Sequence, residues 1–359
     1  VSAESAAARP TTVAAPLGPI SDVFARYAEL SRQEVAKRLP RGEPSPPLYD
    51  VLPRYVLRPG KAIRPVLCLA ACVACGGGVS DALPVAVALE LLHNAFLVHD
   101  DIQDGSATRR GGPSLQAEHG VAVALNAGDA LAALAMDEVA TAAERLGPRL
   151  GSAVMSQFAA LVRETIEGQA IELGWERDGV VDVTVRDYLV MVLKKTSWYT
   201  AIEPVRLGAL IGSRGRVGAD FGIRFGYHLG AMFQMANDLA GVFDDLVEGK
   251  RSLMMIHLLR HARPAERDRV TAFLRRARAD RSVEEAAWLL DRMGQVGSME
   301  YGRRWARAMG ETAAHEARAE FDRLPESEER RLLLDIVPAL VQANAGYLGR
   351  PEVTGLSSR

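Results

Sequence analysis

Core-type residues recur at steps of three and four along almost the whole chain, as in Val85, Leu89, Leu92 and Phe96, or Leu189, Val192, Leu193 and Thr196. That spacing gives each segment one buried face per helical turn, and convincing alternating strands are absent. Breaks at RLPRGEPSPP, CGGGVSDALP, RRGGPS, GWERDGVVD, GSRGRVGAD, RHARPAERD and RLPESEER divide the chain into roughly ten or more helices with short connections. The expected fold is all-α, a single large helical bundle. No linker rich in Pro, Gly or Ser and no fixed-period repeat interrupts the middle of the chain. Residues 21–345 are therefore read as one domain, 1–20 as a disordered leader and 346–359 as a loose polar tail.

With 359 residues, 48% hydrophobic and 25% charged, the chain has ample core for a globular protein. A formal net charge of −2 gives no general attraction to nucleic acid or anionic membrane, so any anion site must be local. The segment VAVALNAGDALAALAM is broken by Asn126 and Asp129, and no stretch supplies the ~18–20 uninterrupted apolar residues of a spanning helix. The N-terminal segment lacks the pattern of a secretory signal, which makes the cytoplasm the default location. Cys68, Cys72 and Cys75, the only cysteines, share one helical face in an apolar run. An odd count without an export signal argues for thiols serving as small core residues, and against a disulfide framework or a metal site.

Two acidic segments stand well apart: HNAFLVHDDIQDGSATRRGG at 93–112 and FQMANDLAGVFDDLVEGKRS at 233–252. In the first, Asp100 and Asp104 lie one turn apart on one face, with Asp101 beside them. Gly105 follows, so these carboxylates fall at a helix C-terminus, where the dipole already disfavours anions and a cation would relieve the repulsion. Hard oxygen donors at the mouth of an apolar helix face favour Mg²⁺ held together with substrate phosphates. The alternative is the solvated acidic end of a surface helix. RPGKAIRP at 58–65, RRGG at 109–112 and KKTSWYT at 194–200 add compact basic clusters of the kind that grip diphosphate oxygens.

Taken in order, these segments resemble the trans-isoprenyl diphosphate synthase (polyprenyl synthetase) family, in particular its bacterial geranylgeranyl and farnesyl diphosphate synthases. That family carries GKxxRP, HxxxxxHDDxxD followed by RRG, a KT pair, and FQxxDD followed by a GK loop. GQAIEL and TSWYTAIEPVRLGALIG also match family segments. The resemblance implies the isoprenoid synthase fold with a central apolar cavity, a homodimer, and three Mg²⁺ ions per active site. It implies that Lys61, Arg64, His93 and Arg110 bind the diphosphate of isopentenyl diphosphate. Asp100, Asp101 and Asp104 would hold two Mg²⁺ against an allylic diphosphate, with Arg109, Lys195 and Lys250 as further contacts. Thr196 and Gln234 would face the reacting carbons, with Phe233 beside them. Bulk before the first motif limits product length in the family, so Phe96, with Ala95 and Leu92, points to C15 to C20, C10 remaining open.

The chain departs from the pattern where the second motif should read DDxxD. Asn237, Asp238, Leu239, Ala240 and Gly241 stand there, and a following loop is shortened. If the helix continues, Asp245 lies two turns beyond Asp238 on nearly the same face. The expectation is that Asp238 and Asp245, assisted by Asn237, bind the third Mg²⁺. A terpene cyclase on the same fold, or a non-catalytic regulatory subunit, remains as an alternative reading. The filled basic positions and the intact first motif favour elongation.

Overall fold

The computed structural model describes residues 21–348; the leader 1–20 and the tail beyond 348 lie outside them. In order, the helices are α1 (Ser21–Arg38), α2 (Pro46–Tyr49), α3 (Leu52–Val56), α4 (Ile63–Ala74), α5 (Val79–Gln103), α6 (Leu115–His119), α7 (Val121–Leu146), α8 (Pro148–Arg177) and α9 (Val185–Val192). A π-helix, Leu193–Ile202, leads into α10 (Glu203–Gly212), α11 (Ile223–Ala240), α12 (Val242–Glu248), α13 (Leu253–His261) and α14 (Pro264–Arg275). The chain then forms a 3₁₀ turn (Arg278–Asp280), α15 (Val283–Gln295), α16 (Ser298–Phe321), α17 (Glu328–Ala343) and α18 (Ala345–Leu348). The all-α expectation holds, with one exception. β1 (Thr108–Arg109) and β2 (Gly112–Pro113) pair antiparallel at the RRGG motif.

The helices gather into two compact units, each discontinuous in sequence. The first takes the described residues up to Ala159 with Glu203–Phe221 and Arg323–Leu333; the second takes Ala160–Ile202, Gly222–Asp322 and the described residues from Leu334.

In the first unit α5 packs against α4, α7 and α10. By length and composition α5 could cross a membrane, yet 67% of its most apolar window is buried inside the protein. A helix apolar on all sides is what such a buried position requires. Cys68 and Cys72 are free and buried on α4, as expected of small core residues.

Glu203, fully buried at the start of α10, pairs with Arg206. Burial pushes its carboxyl up to about 7, against the opposing pull of Arg206. A carboxyl that holds its proton more tightly when folded makes the native state lose stability as pH rises from the unfolded value, 4.5, through the folded one. At about 1.4 kcal/mol per pKa unit, stability is expected to fall by on the order of 1–3 kcal/mol between pH 5 and pH 8 from this group. Glu203→Gln should remove that slope. Thermal melts of both proteins at the two pH values check it, and parallel shifts would refute it.

In the second unit α11 runs along α16 and the π-helix. A π-helix is wider than an α-helix and leaves less room beside its backbone. Gly168 on α8 and Gly230 on α11 accommodate it. A Cβ at Gly168 would lie 2.6 Å from Lys195 Cα, and one at Gly230 would lie 2.6 Å from Ser197 Oγ. The tail, read as loose from 346, is packed as far as it is described. Leu348 is buried, and Arg303 and Arg307 donate to the carbonyls of Tyr347 and Leu348 at 3.1 and 2.7 Å.

Candidate functional site

The first acidic motif ends α5 as its sequence implied. Asp104 caps the helix, Gly105 adopts φ +55°, Ser106 N donates to Asp101 O at 2.9 Å and Gly105 N to Ile102 O at 3.2 Å. This is the Schellman closure, which needs a residue that tolerates the left-handed region at Gly105. Asp101 and Asp104 are buried and Asp100 is half-buried. Tyr55 Oη donates to Asp101 Oδ2 at 2.8 Å, and Arg109 Nε donates to Asp101 Oδ1 at 2.7 Å. Arg109 Nη2 also reaches Asp100 Oδ2 at 3.3 Å. Burial raises the Asp101 carboxyl above the usual carboxylate range, with Arg109 and the Tyr55 hydroxyl pulling back.

The hairpin after the motif aims its arginines. Arg110 and Gly111 form a two-residue turn with φ +50° and +75°, the type I′ geometry that asparagine and glycine adopt easily and arginine does not. Ala62, between Lys61 and Arg64, is likewise left-handed at φ +47°. Among the described residues only three non-glycines have positive φ, and two lie in the basic motifs. Strain of this kind concentrates at functional sites. Arg110 Nη1 reaches Asn94 Oδ1 at 3.3 Å, and its Nη2 lies 3.3 Å from His93 Nε2. The buried Asn94 is oriented by donating to Glu90 O at 2.8 Å. Burial, then Arg64, Arg110 and Arg109, push the His93 imidazole well below its usual value, so it is neutral. Burial also lowers Arg110, with Arg64 and Arg109 adding repulsion. Arg64 is buried and Lys61 exposed. Leu92 and Ala95 are buried and Phe96 half-buried on the same helix.

The second unit assembles its own polar chain. Thr196 Oγ1 donates to Gln234 Oε1 at 2.7 Å, Gln234 Nε2 donates to Asp238 Oδ1 at 2.7 Å, and Tyr188 Oη donates to Asp238 Oδ2 at 2.7 Å. Lys195 pairs with Glu172. Burial pushes Asp238 up to about 6, despite its bonds to Tyr188 and Gln234. The helix does not run on to Asp245: it breaks at Gly241 (φ −104°, ψ 15°), and α12 begins afresh. Asp245 nevertheless stays near Asp238. Burial first, then repulsion from Asp238, drives its carboxyl well above the usual range against the pull of Lys250. Lys250 Nζ lies 3.9 Å from Asp245 Oδ1 and 2.7 Å from Glu248 Oε2. Asn237 is exposed and stands outside this network.

Among the described residues, no three His, Cys, Asp or Glu side chains converge into a ready-made cation cage. Arg109 and Lys250 set positive charge beside Asp101 and Asp245. The donor chemistry fits Mg²⁺: each acidic segment offers hard carboxylate oxygens.

Sequence reasoning missed Tyr55, Tyr188, Glu172, Asn94 and Glu248. For Glu248 a signal was present, because DDLVEG at 244–249 echoes DDIQDG at 100–105. The two segments close alike: Gly249 has φ +79°, and Lys250 N donates to Asp245 O at 2.8 Å, as Ser106 N does to Asp101 O.

Residues 45–291 match the polyprenyl synthetase family. A short chain isoprenyl diphosphate synthase of Methanothermobacter thermautotrophicus is 28% identical over 345 residues, covering 90% of this chain and 98% of that protein. A geranylgeranyl diphosphate synthase of Methanosarcina mazei is 30% identical over 305 residues, covering 82% and 89%. The crystal structure of a geranylgeranyl pyrophosphate synthetase from Pyrococcus horikoshii superposes with a TM-score of 0.77 at 29% identity, covering 89% of this chain and 98% of that one. With the acidic and basic motifs matched in order and the helical fold shared, this chain belongs to the polyprenyl synthetase family of prenyltransferases.

Proposed function

We propose that this enzyme condenses isopentenyl diphosphate with an allylic diphosphate (dimethylallyl, geranyl or farnesyl) to an all-trans prenyl diphosphate of C15 to C20. The observation that carries this reading is the crowding of Arg64, His93, Arg109 and Arg110, where burial and mutual repulsion depress both His93 and Arg110. A polyanion is the natural complement of such a cluster, and a cyclase acting on one diphosphate has no use for a second anion site.

In this reading Lys61, Arg64, His93 and Arg110 hold isopentenyl diphosphate, with His93 as a neutral hydrogen-bonding group. Asp100, Asp101 and Asp104 would hold two Mg²⁺, and Asp238 and Asp245, with Asn237 at the margin, would hold a third. When bound, Mg²⁺ supplies the charge that makes the allylic diphosphate a good leaving group. Arg109 beside the first carboxylates, and Lys195 and Lys250 in the second unit, would each offer donors to diphosphate oxygens, so that the C–O bond breaks without a protein nucleophile. Gln234, fixed from both sides by Thr196 and Asp238, presents its amide toward the reacting carbons, with Phe233 beside it. The isopentenyl double bond attacks the allylic cation, the new C–C bond forms, and a proton leaves to the departing diphosphate. The reaction requires that water, which would quench the cation, be kept out. The working enzyme is taken to be a homodimer.

Product identification tests the reading. Labelled isopentenyl diphosphate with each primer and Mg²⁺ should yield C15 to C20 alcohols after phosphatase treatment. Hydrocarbon formed without isopentenyl diphosphate would identify a cyclase, and silence with every primer a non-catalytic subunit. Phe96→Ala, which opens the face of α5 one turn before Asp100, is expected to lengthen the main product by one or more isoprene units. An unchanged length by chromatography would place the floor elsewhere. Asp245→Ala should lower turnover about tenfold or more and raise the Mg²⁺ needed for half-maximal rate. Unchanged rate and metal dependence would remove Asp245 from the site.

A further inference from the structure

Behind the turn that carries Lys250, two guanidiniums are buried: Arg251 is 3% exposed and Arg281 7%. Their donors converge on three successive carbonyls at the end of α12. Arg281 Nη1 reaches Val247 O at 3.3 Å and Glu248 O, while Arg251 Nη1 reaches Gly249 O. Arg251 Nε is anchored to Val180 O at 2.8 Å, and both side chains touch Leu274 O, at 3.5 and 3.4 Å. The last carbonyls of a helix have no partner within it and carry the negative end of its dipole, so cationic donors suit them. Two neighbouring buried charges are nevertheless costly. Glu176, 3.4 Å from Arg281 Nη1, is its carboxylate partner.

Gly249 fits this clamp closely. Its φ is +79°, and a Cβ there would lie 2.6 Å from Arg281 Nη2. The turn delivers Lys250, whose backbone N–H is fixed on Asp245 O and whose ammonium faces Glu248 and Asp245. The position of Lys250 follows from this turn.

We propose that Arg281 and Arg251 are positioning residues that hold the carbonyls of 247–249 and thereby set Lys250 beside Asp245 for the diphosphate site. The proposal rests on the reading that Lys250 and Asp245 act on the allylic diphosphate. Its competitor is a purely structural cap on α12.

The test compares Arg281→Gln, Arg281→Lys, Lys250→Ala and the double variant Arg281→Gln/Lys250→Ala in the full chain. Steady-state kinetics, calorimetric binding of inorganic diphosphate with Mg²⁺, and thermal melts are the readouts. Arg281→Gln is expected to raise KM for the allylic diphosphate and weaken inorganic diphosphate binding by about tenfold, since small misplacements of a binding group cost that much or more. KM for isopentenyl diphosphate should stay within about twofold. Arg281→Lys should fall between, and the double variant should lose nothing beyond Lys250→Ala, because the residues act as one unit. A lowered melting temperature with unchanged KM and diphosphate affinity, or additive losses in the double variant, would overturn the proposal. If Arg281→Gln does not fold, Arg281→Lys and Arg251→Lys carry the same comparison. A wild-type enzyme that fails to consume isopentenyl diphosphate would sink the functional reading, while the binding measurements would still decide the clamp.

Discussion

Asp101→Asn is expected to reduce turnover by on the order of 10³-fold, the effect of losing a charge that acts on the leaving group. The exchange keeps the shape of the side chain and removes its charge. Asp101 is 1% exposed, and its oxygens are already aimed by Tyr55 and Arg109. The variant also leaves the half-buried Arg109 with only Asp100, at 3.3 Å. Breaking such a pair costs up to ~3–5 kcal/mol when fully buried and less here, so melts must accompany the kinetics. Tyr55→Phe is the control: it removes one hydrogen bond without touching the charge, and its rate should fall less than about tenfold. A folded Asp101→Asn enzyme within tenfold of wild type would show that this carboxylate does not hold the metal.

The second large effect is expected at a residue that touches no substrate. Gly168→Ala should destabilise the protein by about 3 kcal/mol, at the upper end for overpacking, because the new methyl meets backbone rather than a flexible side chain. It should also lower turnover, since the backbone displaced belongs to Lys195 and the adjacent Thr196 bonds Gln234. Melting temperature and kcat are measured on the same sample. An unchanged melting temperature would mean that the π-helix yields without cost. Gly174, on the same helix with open space at its Cβ, supplies the control: Gly174→Ala should be neutral or slightly stabilising.

Local chemistry explains what could be read from the sequence. The ending of α5 at Asp104 was legible because an aspartate cluster followed by Gly105 is itself a helix stop, and the apolar turn before it fixed the buried face. The hairpin at RRGG escaped because each strand has two residues, too short for alternation to register. The break at Gly241 escaped for a different reason. The i→i−4 bonds Gly241 N to Asn237 O and Asp245 N to Gly241 O persist across it, so a sequence pattern continuous through the break is no contradiction. The π-helix at Lys194 and Thr196 depends on glycines about 30 residues to either side, and Tyr55 and Tyr188 reach their aspartates across 46 and 50 residues. Such partners are set by packing. The carboxylates, Arg109 and Gln234 were visible in the sequence, but the tyrosines that also orient Asp101 and Asp238 were not.

The central claim is that this chain elongates an allylic diphosphate with isopentenyl diphosphate, and the stoichiometry of diphosphate release tests it most directly. With Mg²⁺ and both substrates present, one inorganic diphosphate should appear for each isopentenyl diphosphate consumed, and chelating the metal should stop both together. Diphosphate released from the allylic substrate alone, at a rate indifferent to isopentenyl diphosphate, would contradict it.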